Sequence, residues 1–205
     1  MIATEIEATF LDIDKDNLRE KLRAAGAELV QEETLMRRTI FNIDERSFAR
    51  VRDEGNRITM SYKHLDTHTL SGMQEVCLEV NDFTAACDFI KALGLKPKAE
   101  QETYREEWKL GEVEIDIDTW PWLPTYVEIE GPSETEVTAV AEKLGFDMKD
   151  SVYGSVDEVF RVYYDTTAHD INYCPEIKFT EVPEWLEAKR RETPLTIAEL
   201  KATAE

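Results

Sequence analysis

Cysteine is scarce in this chain of 205 residues, represented by Cys77, Cys87 and Cys174 alone. An odd count without metal-ligand spacing argues against a disulfide framework or a zinc cluster. It predicts free, buried thiols in a reducing cytoplasm, Cys77 among them as an inert one. Histidine is equally scarce, and His64, His68 and His169 form no triad or ligand pattern. His64 and His68 border the loop Leu65–Gly72 and read as solvated, with the loop a candidate lid. No hydrophobic run approaches ~18 residues, so no membrane span is expected. The opening residues MIATEIEATF lack the basic and apolar regions of a signal peptide, which points to the cytoplasm. Positive charge is in the minority: 24 Lys and Arg stand against 44 Asp and Glu, a net charge of −20. Such a surface repels nucleic acid and free polyanions. Any phosphate site therefore has to be local, basic and metal-assisted.

What is present is a succession of strand-like segments. Thr4–Ile13 alternates, with Ile6, Ala8 and Phe10 on one face and Glu5, Glu7 and Thr9 on the other. Leu35–Ile43, Ser47–Asp53, Ile58–Lys63, Gln74–Val80, Thr103–Leu110, Glu112–Asp118 and Thr125–Glu130 read as further strands. Asp53-Glu54-Gly55-Asn56 has hairpin chemistry. Helices are expected over Asp16–Ala25, Phe83–Leu93 and Glu134–Leu144, each ending at a Gly, with short ones after Pro183 and Thr196. A strand, turn, helix and Gly recur three times at irregular spacing, which suggests related β-β-α pieces rather than a solenoid.

The chemistry lies in side-chain parity, because residues two apart on a strand face the same side. Arg50 and Arg52 share a face, as do Glu75 and Glu79, then Glu114, Asp116 and Asp118, then Glu128 and Glu130. A half-buried sheet with its charges in water is the commoner cause of such alternation. Here, however, the signs are sorted strand by strand, and amphipathic helices are available to cover the apolar faces. The expected architecture is α+β: a closed antiparallel β-barrel of about eight strands, helices outside, with room for one small ligand. Buried charge needs partners. Arg50 and Arg52 suit phosphate oxygens, Lys63 adds a point charge, and clustered carboxylates suit Mg²⁺ or Mn²⁺. Trp120-Pro121-Trp122-Leu123-Pro124 reads as a rigid connector, with a ring-stacking rim as the alternative.

The segment Glu5-Ile6-Glu7-Ala8-Thr9 resembles the Glu-x-Glu-x-Lys signature of the CYTH family, part of the triphosphate tunnel metalloenzymes. The resemblance continues in order through Arg50-Val51-Arg52, Lys63, Glu75, Arg105, Asp118 and Tyr126–Gly131. It implies one domain over residues 1–180, with 181–205 as a helical extension packed on it. By resemblance, Glu5, Glu7 and Glu128 serve the catalytic centre, and Glu5, Glu7, Asp118, Glu128 and Glu130 the metal. Arg50, Arg52, Lys63 and Arg105 bind the triphosphate, Glu75 orients one of these bases, and Lys178 adds a contact from a late strand that closes the barrel. Thr9 departs from the pattern by replacing the signature lysine, a charge that Lys178, Arg37 or Arg38 could supply.

The function implied is hydrolysis of a small-molecule triphosphate (inorganic, nucleoside or thiamine) with Mg²⁺ or Mn²⁺. The alternatives are a class IV adenylyl cyclase making cyclic AMP and pyrophosphate, and a non-catalytic triphosphate or polyphosphate binder, which Thr9 favours. Neither nucleic acid nor membrane is expected as a partner, and the oligomeric state stays open, a homodimer included.

Overall fold

The computed structural model describes residues 3–67 and 69–202; His68 lies outside the described residues. In chain order the elements are β1 (Ala3–Glu5), β2 (Glu7–Phe10), α1 (Lys15–Ala25), β3 (Glu28–Asn42), β4 (Ser47–Asp53), β5 (Ile58–Leu65), β6 (Met73–Val80) and α2 (Phe83–Ala92). They continue with β7 (Pro97–Leu110), β8 (Val113–Thr119), β9 (Tyr126–Glu130), α3 (Glu134–Leu144), α4 (Val156–Tyr163), α5 (Ala168–Asn172), β10 (Glu176–Ile177), α6 (Glu184–Glu187) and α7 (Ile197–Ala202).

Local chemistry sets the helix ends. The Asp14, Asp82 and Ser133 side chains accept from backbone N–H groups in the first turns of α1, α2 and α3. Gly26 and Gly145 end α1 and α3 in the left-handed region, at φ 83° and 88°, where a side chain would be strained.

The sheet has ten strands in the order β1-β6-β5-β4-β3-β7-β8-β9-β2, with β10 off this path. All neighbours on the path are antiparallel, and β10 lies parallel to β7. The two ends of the path, β1 and β2, are pieces of one N-terminal segment separated by Ile6. β1 pairs with β6 and β2 with β9. The strand count exceeds the expected eight or so because the first strand splits at Ile6 and the two-residue β10 is added.

Three apolar clusters hold helices against the outer faces of this sheet. Ala8, Phe10, Ile115, Ile117, Val127 and Ile129 pack with α1 and α3 through Leu18, Leu22, Val137 and Leu144. Phe41, Ala49 and Val51 pack under α2 through Ala86, Cys87 and Ile90. Trp120 and Tyr126 join Phe160, Tyr164, Ile177, Leu186 and Leu200 in the third cluster, which takes in the C-terminal helices. The outer face of β6 is not covered in the same way, and Leu78 there is exposed.

Two helices, α4 and α5, fall in a stretch where no element is expected from the sequence. Most of α4 is buried, including Asp157 and Glu158 of its polar side. Among the described residues no helix is long and apolar enough to cross a membrane.

Candidate functional site

Alternation brings the charged faces of the strands to one side, where they line a cavity of about 340 Å³. Its walls carry opposite charge. On one wall Arg38 of β3 stands opposite Arg52 of β4 in register, and Arg50 lies two residues back on the same face. On the other, Asp116 of β8 faces Glu128 of β9, while Glu130 faces both Glu114 and Glu7 of β2.

Arg105 of β7 reaches the acidic wall. Its Nε donates to Asp118 Oδ1 at 2.7 Å and an Nη to Glu128 at 2.6 Å, with further bonds to Asp116 and the second Asp118 oxygen. Burial acts to lower the Arg105 pKa, but the three carboxylates outweigh it and hold the guanidinium firmly charged. Lys63 Nζ sits 2.8 Å from both oxygens of Glu5 and 3.8 Å from Glu75. Glu75 also reaches Arg50, at 3.4 Å. Burial pushes Glu75 up, but Lys63 and Arg50 outweigh it and keep its pKa below the ordinary value.

At the other acids burial outweighs whatever cation is near. Burial raises Glu7 well above the carboxylate range, with Glu128 adding repulsion. Burial likewise pushes Glu5 up to about 7 and Asp116 to about 8, and raises Glu128 and Glu130. The basic wall shows the converse. Burial, followed by repulsion from Arg52, drives Arg50 down to about 10 and pulls Arg38 well below its ordinary value. The Nε atoms of Arg38 and Arg50 are buried without a hydrogen-bond partner.

The structure thus places Glu5, Glu7, Arg50, Arg52, Lys63, Glu75, Arg105, Asp118, Glu128 and Glu130 around one cavity. Lys178 is placed elsewhere. It is held at the surface by Glu100 and Glu176, at 2.8 and 2.7 Å, and does not line the cavity. The strand before it adds to β7 off the main path, so it does not bring Lys178 across the sheet. Of the other two candidates to replace the lysine absent at position 9, Arg37 points outward to Glu102 and Arg38 inward, as parity requires. Thr9 is buried, opposite Glu128, and its N–H bonds to Val152 O at 3.1 Å.

Other expectations are corrected. Cys77 is exposed and lines the cavity, because it shares parity with Glu75; the apolar context around it misleads. His64 is half-buried, with its Nδ1 2.8 Å from Ser47 Oγ. Trp120 is more than a connector, since it borders the cavity. Within the stretch read as a candidate lid, Leu70 O accepts from the Glu7 N–H at 3.0 Å, a contact with the first strand that leaves the lid reading open.

Glu54 is the acid that the sequence concealed. It sits in the hairpin turn, where solvent exposure is the natural reading, yet it is 0% exposed. Its carboxylate accepts from Arg52 Nε at 2.8 Å, Arg57 Nε at 2.6 Å and Thr59 Oγ1 at 2.6 Å. Burial acts to raise Glu54, but Arg52 and these hydrogen bonds win and hold it at about 2, against an ordinary 4.5. Because the folded-state value is depressed, the stabilisation is complete above the unfolded value and disappears as pH falls toward the folded one. The shift corresponds to about 3 kcal/mol. Urea unfolding of Glu54→Gln at pH 7 should therefore show a loss of about this size, shrinking as pH falls below about 4.5. An equal loss at pH 7 and pH 3 would contradict this account.

Residues 3–163 match the CYTH domain model. The chain belongs to the CYTH family. Solved structures with the same fold include a protein from Pyrococcus horikoshii, with 22% identity, TM-score 0.66, and coverage of 76% of this chain and 98% of that one. A candidate adenylate cyclase from Vibrio parahaemolyticus shows 13% identity, TM-score 0.65 and coverage of 77% and 98%. A candidate adenylyl cyclase from Hippeastrum, described as having a dominant triphosphatase activity, shows 14% identity, TM-score 0.51 and coverage of 77% and 95%. No curated protein gives a significant match. For this CYTH chain the family supports action on triphosphate compounds, and its tunnel enzymes are generally dependent on divalent metal.

Proposed function

We propose that the sheet closes on itself through the N-terminal segment, and that the resulting tunnel binds a triphosphate compound with a divalent cation and hydrolyses it. Closure is supported by β1 and β2, consecutive pieces of chain that pair with opposite ends of the strand path. The observation that carries the ligand reading is the opposed imbalance of the two walls. Buried arginines with unpartnered Nε atoms face carboxylates whose pKa values are raised by burial and mutual repulsion. A metal–triphosphate complex supplies the anion to one wall and the cation to the other.

Among the described residues no group of three or more His, Cys, Asp or Glu side chains is already arranged as a metal cluster. The donor chemistry nonetheless fits Mg²⁺ or Mn²⁺, because the under-compensated groups are hard carboxylate oxygens. Glu7, Glu128 and Glu130 would hold the ion. In the structure both oxygens of Glu5 are engaged by Lys63 and both of Asp118 by Arg105, so their part in the site is to set those two cations, whereas Glu128 gives Arg105 only one oxygen. When bound, the ion would supply charge neutralisation and Lewis acidity at phosphate oxygens. Arg50, Arg52, Lys63 and Arg105 bind and orient the phosphate chain, and Glu75 positions Arg50 and Lys63 between its two contacts.

The test is incubation of the pure protein with Mg²⁺ or Mn²⁺ and tripolyphosphate, ATP or thiamine triphosphate. Orthophosphate release is expected. Cyclic AMP with pyrophosphate would replace the hydrolase reading by the cyclase, and metal-dependent binding without turnover would leave a binder.

A further inference from the structure

Arg38 is a buried cation whose hydrogen-bonding capacity the protein does not use. Its side chain enters the cavity from β3, and the residue is 5% exposed. One Nη donates to Thr103 Oγ1, and the guanidinium lies over the Trp120 ring, 4.8 Å from its centroid. Burial and its neighbours Arg52, Arg50 and Arg105 disfavour its charge, Asp118 offsets this only in part, and no carboxylate lies within ion-pair distance of it among the described residues. Trp120 is also 5% exposed, and its Nε1–H is a second buried donor without an acceptor. Two stacked side chains bordering one cavity thus each hold an unused N–H. Leaving such donors unpaired costs free energy, and an arginine among arginines costs more. Thr103 and Trp120 hold the guanidinium in place without neutralising it.

We propose that Arg38 and Trp120 form an anion-binding subsite for phosphate oxygens of the triphosphate ligand, with Arg38 a substrate-binding residue and the indole N–H a second donor. This rests on the triphosphate reading above and deepens it. Unlike Arg105, which meets its carboxylates within the protein, Arg38 is left to find its counter-charge in the ligand. The subsite therefore couples function against stability, because the feature that binds the anion destabilises the protein without it.

The experiment is calorimetric titration of wild type, Arg38→Met and Trp120→Phe with inorganic tripolyphosphate in Mn²⁺, with thermal melts of the ligand-free proteins. Arg38→Met should weaken tripolyphosphate binding by about 10- to 100-fold, the usual size of a charge-assisted contact. Its ligand-free melting temperature should rise, which a merely structural role would not produce. Trp120→Phe keeps a ring under the guanidinium and should weaken binding about fivefold. If Arg38→Met does not fold, Arg38→Gln serves in its place with the same expectations. Unchanged affinity in the Arg38 variant, with wild type binding normally, overturns the subsite and leaves the triphosphate reading standing. Failure of wild type to bind tripolyphosphate overturns both.

Discussion

Arg105→Met should either prevent folding or lower the unfolding free energy by about 3–5 kcal/mol, the usual cost of removing one partner from a buried ion pair. The guanidinium is the common counter-charge of Asp116, Asp118 and Glu128, which come from two neighbouring strands. Without it three acids face each other on one largely buried wall. A domain of this kind has about 5–15 kcal/mol in total, so the loss is a large share. Arg105→Lys retains the charge but not the planar fork that reaches both Asp118 oxygens while touching two more acids, so it should recover only part of the stability. Chemical denaturation of the three proteins measures this directly. An unchanged midpoint for Arg105→Met would show that the acids do not depend on it.

Glu130→Gln should have the opposite profile, with activity lost and the fold retained. Glu130 faces Glu7 and Glu114 in register, and burial raises its pKa, with Lys63 only partly opposing this. Among the described residues no side chain donates a hydrogen bond to it. An amide there relieves repulsion, so the ligand-free melting temperature should not fall. It also removes a charged oxygen donor for the cation, and metal-dependent turnover should drop by more than about 100-fold. Turnover followed across a Mn²⁺ titration separates a lost metal site from a lost fold. Full activity at ordinary metal concentration would remove Glu130 from the metal site. Arg105 and Glu130, both charged and both inward, thus respond differently because one is paired within the protein and the other is not.

Much of the fold is legible from the order of residues. The limits of β4 and α3 coincide with those expected, because capping and turn residues act within a few positions. β3 and β7 run well beyond their expected starts, since their polar first halves lack the alternation that marks a strand. They are held there by each other, from Glu28 opposite Lys109 onward, and no local pattern reveals that pairing. α4 does carry a helical pattern, with Asp157, Glu158 and Arg161 on one side, but at eight residues it is too short to stand out by period alone.

Within the site, the sequence by itself determined which side chains share a face, because the strand repeat of two is a property of the backbone. The inward set of Glu7, Arg50, Arg52, Lys63, Asp118, Glu128 and Glu130 follows from that parity together with the ordered motifs. Only the tertiary structure decided which charges satisfy one another. Arg105 meets Asp118 because β7 and β8 are in that register. Glu54 turns inward because Arg52, Arg57 and Thr59 converge on it. Lys178 stays outside because β10 joins β7 off the main path. Arg38 is left with an unused donor because its neighbours across both strand pairs are Arg52 and Gln101. The physical reason is range. The direction of a side chain is set by its own backbone, whereas its partner is set by registers between strands far apart in the chain, and in a low-dielectric cavity the partner governs the charge.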